Sequence, residues 1–152
     1  MNSNSSDKRL DNYNYGQSSS SNYEVNREKT CPFLLKVFYK ENDFNSLEDL
    51  NSSIFPTNRE LHIYTWMDAS LRELTMLAKE AVEAARKKDA VLNFSFLFPD
   101  SKGKLQRKEV GSVYSNKKGP DDNKTLHYFK FSIGDYLDIN ISNKAIFLKE
   151  NI

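Results

Sequence analysis

The 152-residue chain predicts an α+β fold in which one main helix packs on a mixed β-sheet. Three observations predict it. Short runs of β-branched and aromatic residues recur along the chain. One segment alone places apolar residues at helical spacing. The resulting order, β-β-α-β-β-β, points to α+β, with one helix packed across a mainly mixed sheet.

The first strand is residues 33–39 (Phe33, Leu34, Leu35, Lys36, Val37, Phe38, Tyr39), entered through Cys31 and Pro32. Residues 41–59 are polar and turn-rich, and Leu47, Leu50, Ile54 and Phe55 are expected to tether this loop to the core. Glu60–Thr65 alternates Leu61 and Ile63 against His62 and Tyr64, as a half-buried strand does. The helix follows. Leu71, Leu74, Ala78, Ala81, Val82 and Ala85 recur at steps of three or four, with Asp68 read as its N-cap and Arg86, Lys87 and Lys88 at its C-terminal end, where cations suit the dipole. Residues 91–98 form an almost wholly apolar strand stopped by Pro99 and Asp100. Residues 102–114 read as a turn and an exposed strand, and residues 116–124 as a surface loop turning at Gly119 and Pro120. Residues 125–131 form a further extended run. The last strand carries Tyr136, Leu137, Ile139 and Ile141. One helix across a curved sheet is the β-grasp arrangement.

Hydrophobic residues make up 38% and charged residues 28% of the chain, with a mean hydropathy of −0.70. That is polar for a globular protein and points to a disordered part. Residues 1–29, with seven Ser and six Asn, supply it. The expected organisation is a disordered Ser/Asn-rich tail over 1–29, a folded domain over 30–148 and a C-terminal end over 149–152. Twenty-two Lys and Arg against 21 Asp and Glu leave a charge of +1, so no overall field draws the chain to nucleic acid or membrane. The single Cys31 excludes an internal disulfide and a cysteine zinc site. No apolar run reaches the roughly 20 residues of a membrane span, and the N-terminus lacks a signal-peptide core, so a soluble intracellular protein is expected.

Catalytic chemistry finds little support. His62 and His127 lie in extended runs beside solvent-facing residues, and Cys31 reads as a buried or half-buried thiol. Neither a phosphate-binding glycine loop nor a nucleophile elbow occurs. The acidic pairs Glu48-Asp49 and Asp121-Asp122 lack cation-site spacing and read as solvated loops. Basic residues cluster at 86–88, at Lys102, Lys104, Arg107 and Lys108, and at Lys117 and Lys118. Without aromatic residues interleaved they read as a solvated face. The lone Trp66, at the strand-to-helix junction, is either core or the wall of a partner groove.

Several stretches taken together resemble the family of the eighteen-kilodalton Sin-associated polypeptide. They are Arg27 through Pro32; Glu60 and Leu61 with Ile63 through Ala69; Arg86 through Lys88; Lys108 and Glu109 with Gly111 and Ser112; Lys118 and Gly119 with Asp121 and Asp122; and Ile133 through Ile139. The loop 41–59 and both ends depart from the family pattern. The resemblance implies a ubiquitin-like β-grasp fold without enzymatic activity or cofactor, in a small nuclear subunit with a cytoplasmic share. It implies as partners a Sin-type corepressor with histone deacetylase, an Acinus-type protein and an RNA-recognition-motif splicing activator, and association with the exon junction complex. The candidate partner surface is Tyr64, Trp66 and Asp68 at the junction, with Lys117, Lys118, Asp121 and Asp122 in the loop. The competing reading is direct RNA binding through the Lys/Arg clusters. A covalent modifier is disfavoured, because the chain ends in Asn151-Ile152 and not in Gly-Gly.

Overall fold

The computed structural model describes residues 23–146. Residues 1–22 of the expected tail, and the C-terminal end, lie outside them. Five strands form one mixed sheet: β1 (Phe33–Glu41), β2 (Glu60–Thr65), β3 (Val91–Pro99), β4 (Leu105–Tyr114) and β5 (Tyr136–Ser142). Their spatial order is β2-β1-β5-β3-β4. Only β1 and β5 run parallel, in a register that sets Val37 beside Leu137; the other pairs are antiparallel. The fold is therefore α+β with a ubiquitin-like arrangement of one main helix on the sheet.

That helix is α2 (Leu71–Ala81), and the short helix α1 (Leu47–Asn51) precedes it. Leu71, Leu74 and Ala78 on α2 are buried against Leu35, Val37, Leu92, Phe94, Leu137 and Ile139. Strand alternation sends Phe38 and Leu97 to the opposite face, where Leu50 of α1 covers them. Both faces of the central strands are thus covered, which is why β3 is buried from Val91 to Leu97, Asn93 and Ser95 included.

Four details differ from the sequence reading. Ser70, not Asp68, caps α2, its hydroxyl accepting the Glu73 N–H at 3.0 Å. The helix stops at Ala81, which is exposed; Val82 is extended, and a 3₁₀ turn over Glu83–Arg86 buries Ala85 instead. Ile54 is 60% exposed and does not tether its loop, whereas Phe55 stacks on Phe38 at 5.9 Å. Residues 125–131 form a compact turn and not a strand. Their backbone bonds to the junction (Leu126 N–H to Ala69 O, His127 N–H to Met67 O), Lys130 sits at φ 62°, and Leu126 and Phe131 drop into the core.

Among the described residues no helix is long and apolar enough to cross a membrane. Cys31 is exposed, contrary to the expectation of a buried thiol.

Candidate partner-binding site

The α2 N-terminus is bonded from two sides by segments distant in sequence. The first N–H groups of a helix lack intrahelical partners. Here Leu71 N–H donates to Lys124 O at 2.9 Å and Arg72 N–H to Asp122 O at 3.0 Å, so the loop after β4 closes the helix start. The two acids of that loop point inward. Asp121 is 5% exposed and accepts the Ser112 N–H at 3.1 Å and Lys124 Nζ at 2.7 Å. Asp122 is 8% exposed and accepts the Arg72 guanidinium at 3.1 Å and the Gly119 N–H at 3.2 Å. The sequence reading of solvated carboxylates fails here, because each acid, besides a partner in its own loop, takes one from β4 (Ser112) or α2 (Arg72) that local sequence does not reveal. Glu48 and Asp49, by contrast, are exposed in the first turn of α1.

The other side of the same helix start is bound by the segment before β1. The Arg27 guanidinium reaches Asp68 at 2.7 Å and Glu73 at 2.8 Å and lies 4.7 Å above the Trp66 ring. Hydrogen bonding to Glu73, more than any other influence, pushes the Arg27 pKa above its ordinary value; Asp68 adds to this and burial opposes it. Val25 N–H donates to Asp68 at 3.0 Å, Trp66 Nε1–H donates to Thr30 O at 2.7 Å, and Tyr23 stacks on His127 with centroids 3.7 Å apart. Residues 23–29, assigned to the tail by composition, are a strap across the junction. Trp66 and Asp68 are accordingly occupied by the chain itself.

The structure joins the two halves of the candidate surface through neighbouring α2 residues, Glu73 holding the strap and Arg72 holding the loop at Asp122 and at Lys117 O, 2.6 Å away. It separates Tyr64 from them. Tyr64 is 67% exposed and stands on the sheet face away from α2, opposite Leu34 of β1. Lys117 and Lys118 are exposed, the Lys117 ammonium resting 4.5 Å from the Tyr114 ring. Arg27, Arg72 and Glu73 are the residues that sequence reasoning missed; the strap carried no periodicity to reveal it.

The remaining candidates are structural in place. His62 is exposed and sits 2.6 Å from Glu60. The basic clusters do not share one face. Arg107, half-buried, pairs with the fully buried Asp138 at 2.5 Å, Lys108 donates to Phe129 O, and Lys102 and Lys104 lie in the β3–β4 turn, at the opposite end of these strands from 86–88 and 117–118. Among the described residues no group of His, Cys, Asp and Glu could hold a metal ion.

Comparison with known proteins follows the same outline, strap to last strand. A family model described as Sin3 associated polypeptide p18 (SAP18) matches residues 24–141. "Histone deacetylase complex subunit SAP18" of Arabidopsis thaliana is 50% identical over 119 residues, covering 77% of this chain and 78% of that protein. Its Homo sapiens counterpart is 49% identical over 120 residues, 78% of each chain. "Probable histone deacetylase complex subunit SAP18" of Caenorhabditis elegans is 42% identical over 123 residues, 78% of this chain and 73% of that protein. With the match running from the Arg27 strap through β5, this chain belongs to the Sin3 associated polypeptide p18 family.

Proposed function

We propose that this chain is a non-catalytic ubiquitin-like adaptor subunit of nuclear complexes, linking histone deacetylase-dependent transcriptional repression to pre-mRNA splicing and exon junction complex regulation. The observation that carries it is the continuous likeness of the whole folded part to proteins named as histone deacetylase complex subunits. The partners proposed are a Sin-type corepressor with its deacetylase, an Acinus-type protein and an RNA-recognition-motif splicing activator. The protein works in the nucleus, with a share in the cytoplasm.

The geometry supports a particular mode of contact. β4 is one sheet edge and is capped at both ends: Asn51 bonds both the N–H and the C=O of Leu105, and Asp121 takes the Ser112 N–H. β2 is the other edge, paired on one side only among the described residues, with Tyr64 and Leu34 exposed beside it. An extended peptide adding to β2 gains backbone hydrogen bonds from the edge and apolar contact from Tyr64. The strap already fills the groove beside α2.

Calorimetry of the full chain with an Acinus-type peptide, and with poly-U RNA as control, tests the reading. Micromolar or tighter peptide binding, about −8 kcal/mol, weakened by Tyr64→Ala, is the expected result. RNA binding without peptide binding, falling steeply with salt, would overturn it.

A further inference from the structure

At the sheet end away from the strap, the C-terminal ends of β1, β4 and β5 meet the start of β3, and two adjoining grooves open there. One, of about 330 Å³, is lined by Glu41, Lys87, Lys88, Ser142 and Asn143 among others. The second, of about 490 Å³, adds Tyr114, Asn116 and Lys117 and shares Lys88, Asp89, Ala90 and Asn143 with the first. We propose that these joined grooves are a docking cleft for an acidic peptide segment, one bearing clustered carboxylates or phosphoserines. This contact lies apart from the β2 edge, so its failure would leave the adaptor reading standing.

The cleft is basic where the chain as a whole is nearly neutral. Arg86, Lys87, Lys88, Lys117, Lys118 and Lys144 lie in or beside it, against the carboxylates of Glu41 and Asp89 in its lining and of Asp43 and Glu83 beside it. Of these, Lys87 pairs with Glu41 at 3.7 Å, whereas Lys88, Lys117 and Lys118 form no ion pair among the described residues. The loops that carry these charges are held in place. Asn116 donates its amide to both Lys87 O (3.0 Å) and Lys88 O (3.1 Å), Lys79 Nζ donates to Ser115 O at 2.9 Å, and Arg86 donates to Lys79 O at 2.6 Å. Asn93 fixes the third loop through Lys144 O and the Ile146 N–H. Exposed like charges converging on a braced concavity repel one another until an anion enters, which is the electrostatic condition for an acidic ligand.

A peptide fits better than a nucleic-acid strand. The lysines of the cleft do not run on into the other basic cluster of the sheet, since Lys102 and Lys104 lie at the far end of the β3–β4 hairpin. The one ring in the cleft, Tyr114, already carries the Lys117 ammonium on its face and is not free to stack on a base. Glu41 and Asp89 interrupt any continuous phosphate track, whereas a peptide spaces its charges to avoid them.

Fluorescence anisotropy of the full chain with three labelled peptides tests this: an Asp/Glu-rich sequence, the same sequence with two phosphoserines in place of acids, and its Asn/Gln counterpart. Both acidic peptides should bind at least about tenfold more tightly than the neutral one. Lys88→Glu with Lys117→Glu should remove that preference, and Lys88→Ala with Lys117→Ala should reduce it; both variants should keep the wild-type circular dichroism. Lys102→Glu with Lys104→Glu, at the opposite end, should leave it intact. Equal binding of the neutral peptide, or equal loss in the Lys102/Lys104 variant, would overturn the proposal. So would poly-U RNA binding more tightly than either acidic peptide and being released by the Lys88/Lys117 exchange.

Discussion

Replacing Arg27 by Ala isolates the energetic worth of the strap. The guanidinium makes two bonds to Asp68 (Nε at 3.0 Å, Nη2 at 2.7 Å), two to Glu73 and a stacking contact on Trp66. The Arg27 side chain is 34% exposed, Asp68 13% and Glu73 36%, so the two ion pairs differ in value. The half-shielded Asp68 pair is worth about 1 kcal/mol after screening, the exposed Glu73 pair about 0.5 kcal/mol and the stacking contact about 0.5 kcal/mol. Arg27→Ala should therefore cost about 2 kcal/mol, lowering the urea midpoint by about 1 M. Arg27→Lys keeps the charge but loses the fork and should cost about half as much. The assay has a built-in probe: Trp66 is the only tryptophan, and its indole N–H bonds to Thr30 O at the root of the strap. Its emission should shift in the native baseline of Arg27→Ala before the backbone signal of circular dichroism changes. A cost below about 0.5 kcal/mol with unchanged native emission would refute the reasoning, because the strap would then be adhering without Arg27.

Three further perturbations follow from the same geometry. Arg107→Ala leaves the fully buried Asp138 without its cation and should cost about 3–5 kcal/mol in urea unfolding. Burial already pushes the Asp138 carboxyl above its usual range, with Asn45 and Arg107 opposing. A raised folded value means stability is lost as pH rises through it, so the Arg107→Ala deficit should widen from acid toward neutral pH. Gly111→Ala places a methyl 3.0 Å from both Asp121 Oδ2 and Leu71 Cδ1 and should cost about 1–3 kcal/mol, read as a lowered Tm. Asp100 is held below its ordinary pKa, chiefly by the Lys104 N–H and then by Gln106 and Lys102. Its contribution is present above the ordinary carboxylate range and disappears as pH falls through the lowered value. The Tm gap between wild type and Asp100→Asn should accordingly close on acidification.

What the sequence revealed and what it hid divide along physical lines. β1, β2 and β3 were legible because their side-chain pattern is set by the faces they bury, and α2 because its apolar stripe is nearly complete. The helix start was legible too, had the Ser70-Leu71-Arg72-Glu73 spacing been taken as a capping box. In the fold Ser70 does cap, but Glu73 turns away to Arg27, so only half of that motif operates. The turn over residues 125–131 reads as a strand because it is rich in β-branched and aromatic residues; its backbone partner is the junction, more than fifty residues away in sequence. The burial of Asp121 and Asp122 and the docking of Arg27 are likewise tertiary facts. They depend on groups of β4, α2 and the junction that no local pattern connects to them.

This division bears on how family likeness should be interpreted. The residues at the junction that carry much of the resemblance (Arg27, Trp66, Asp68, Asp121, Asp122) spend their hydrogen bonds and charges inside the molecule, on one another and on the first turn of α2. Their roles are those of folding: losing Arg27, Asp68, Asp121 or Asp122 leaves a charged or backbone partner unpaired, and losing Trp66 removes the indole bond to Thr30 O. They therefore identify the scaffold without specifying what it holds. The two contacts proposed above use groups whose bonds the fold leaves unused, on the outer edge of β2 beside Tyr64 and in the lysine-lined end of the sheet. A charge reversal at Lys88 and a truncation at Tyr64 should thus alter binding while leaving stability nearly unchanged, whereas changes at Arg27 or Asp122 should alter stability first and binding only as its consequence.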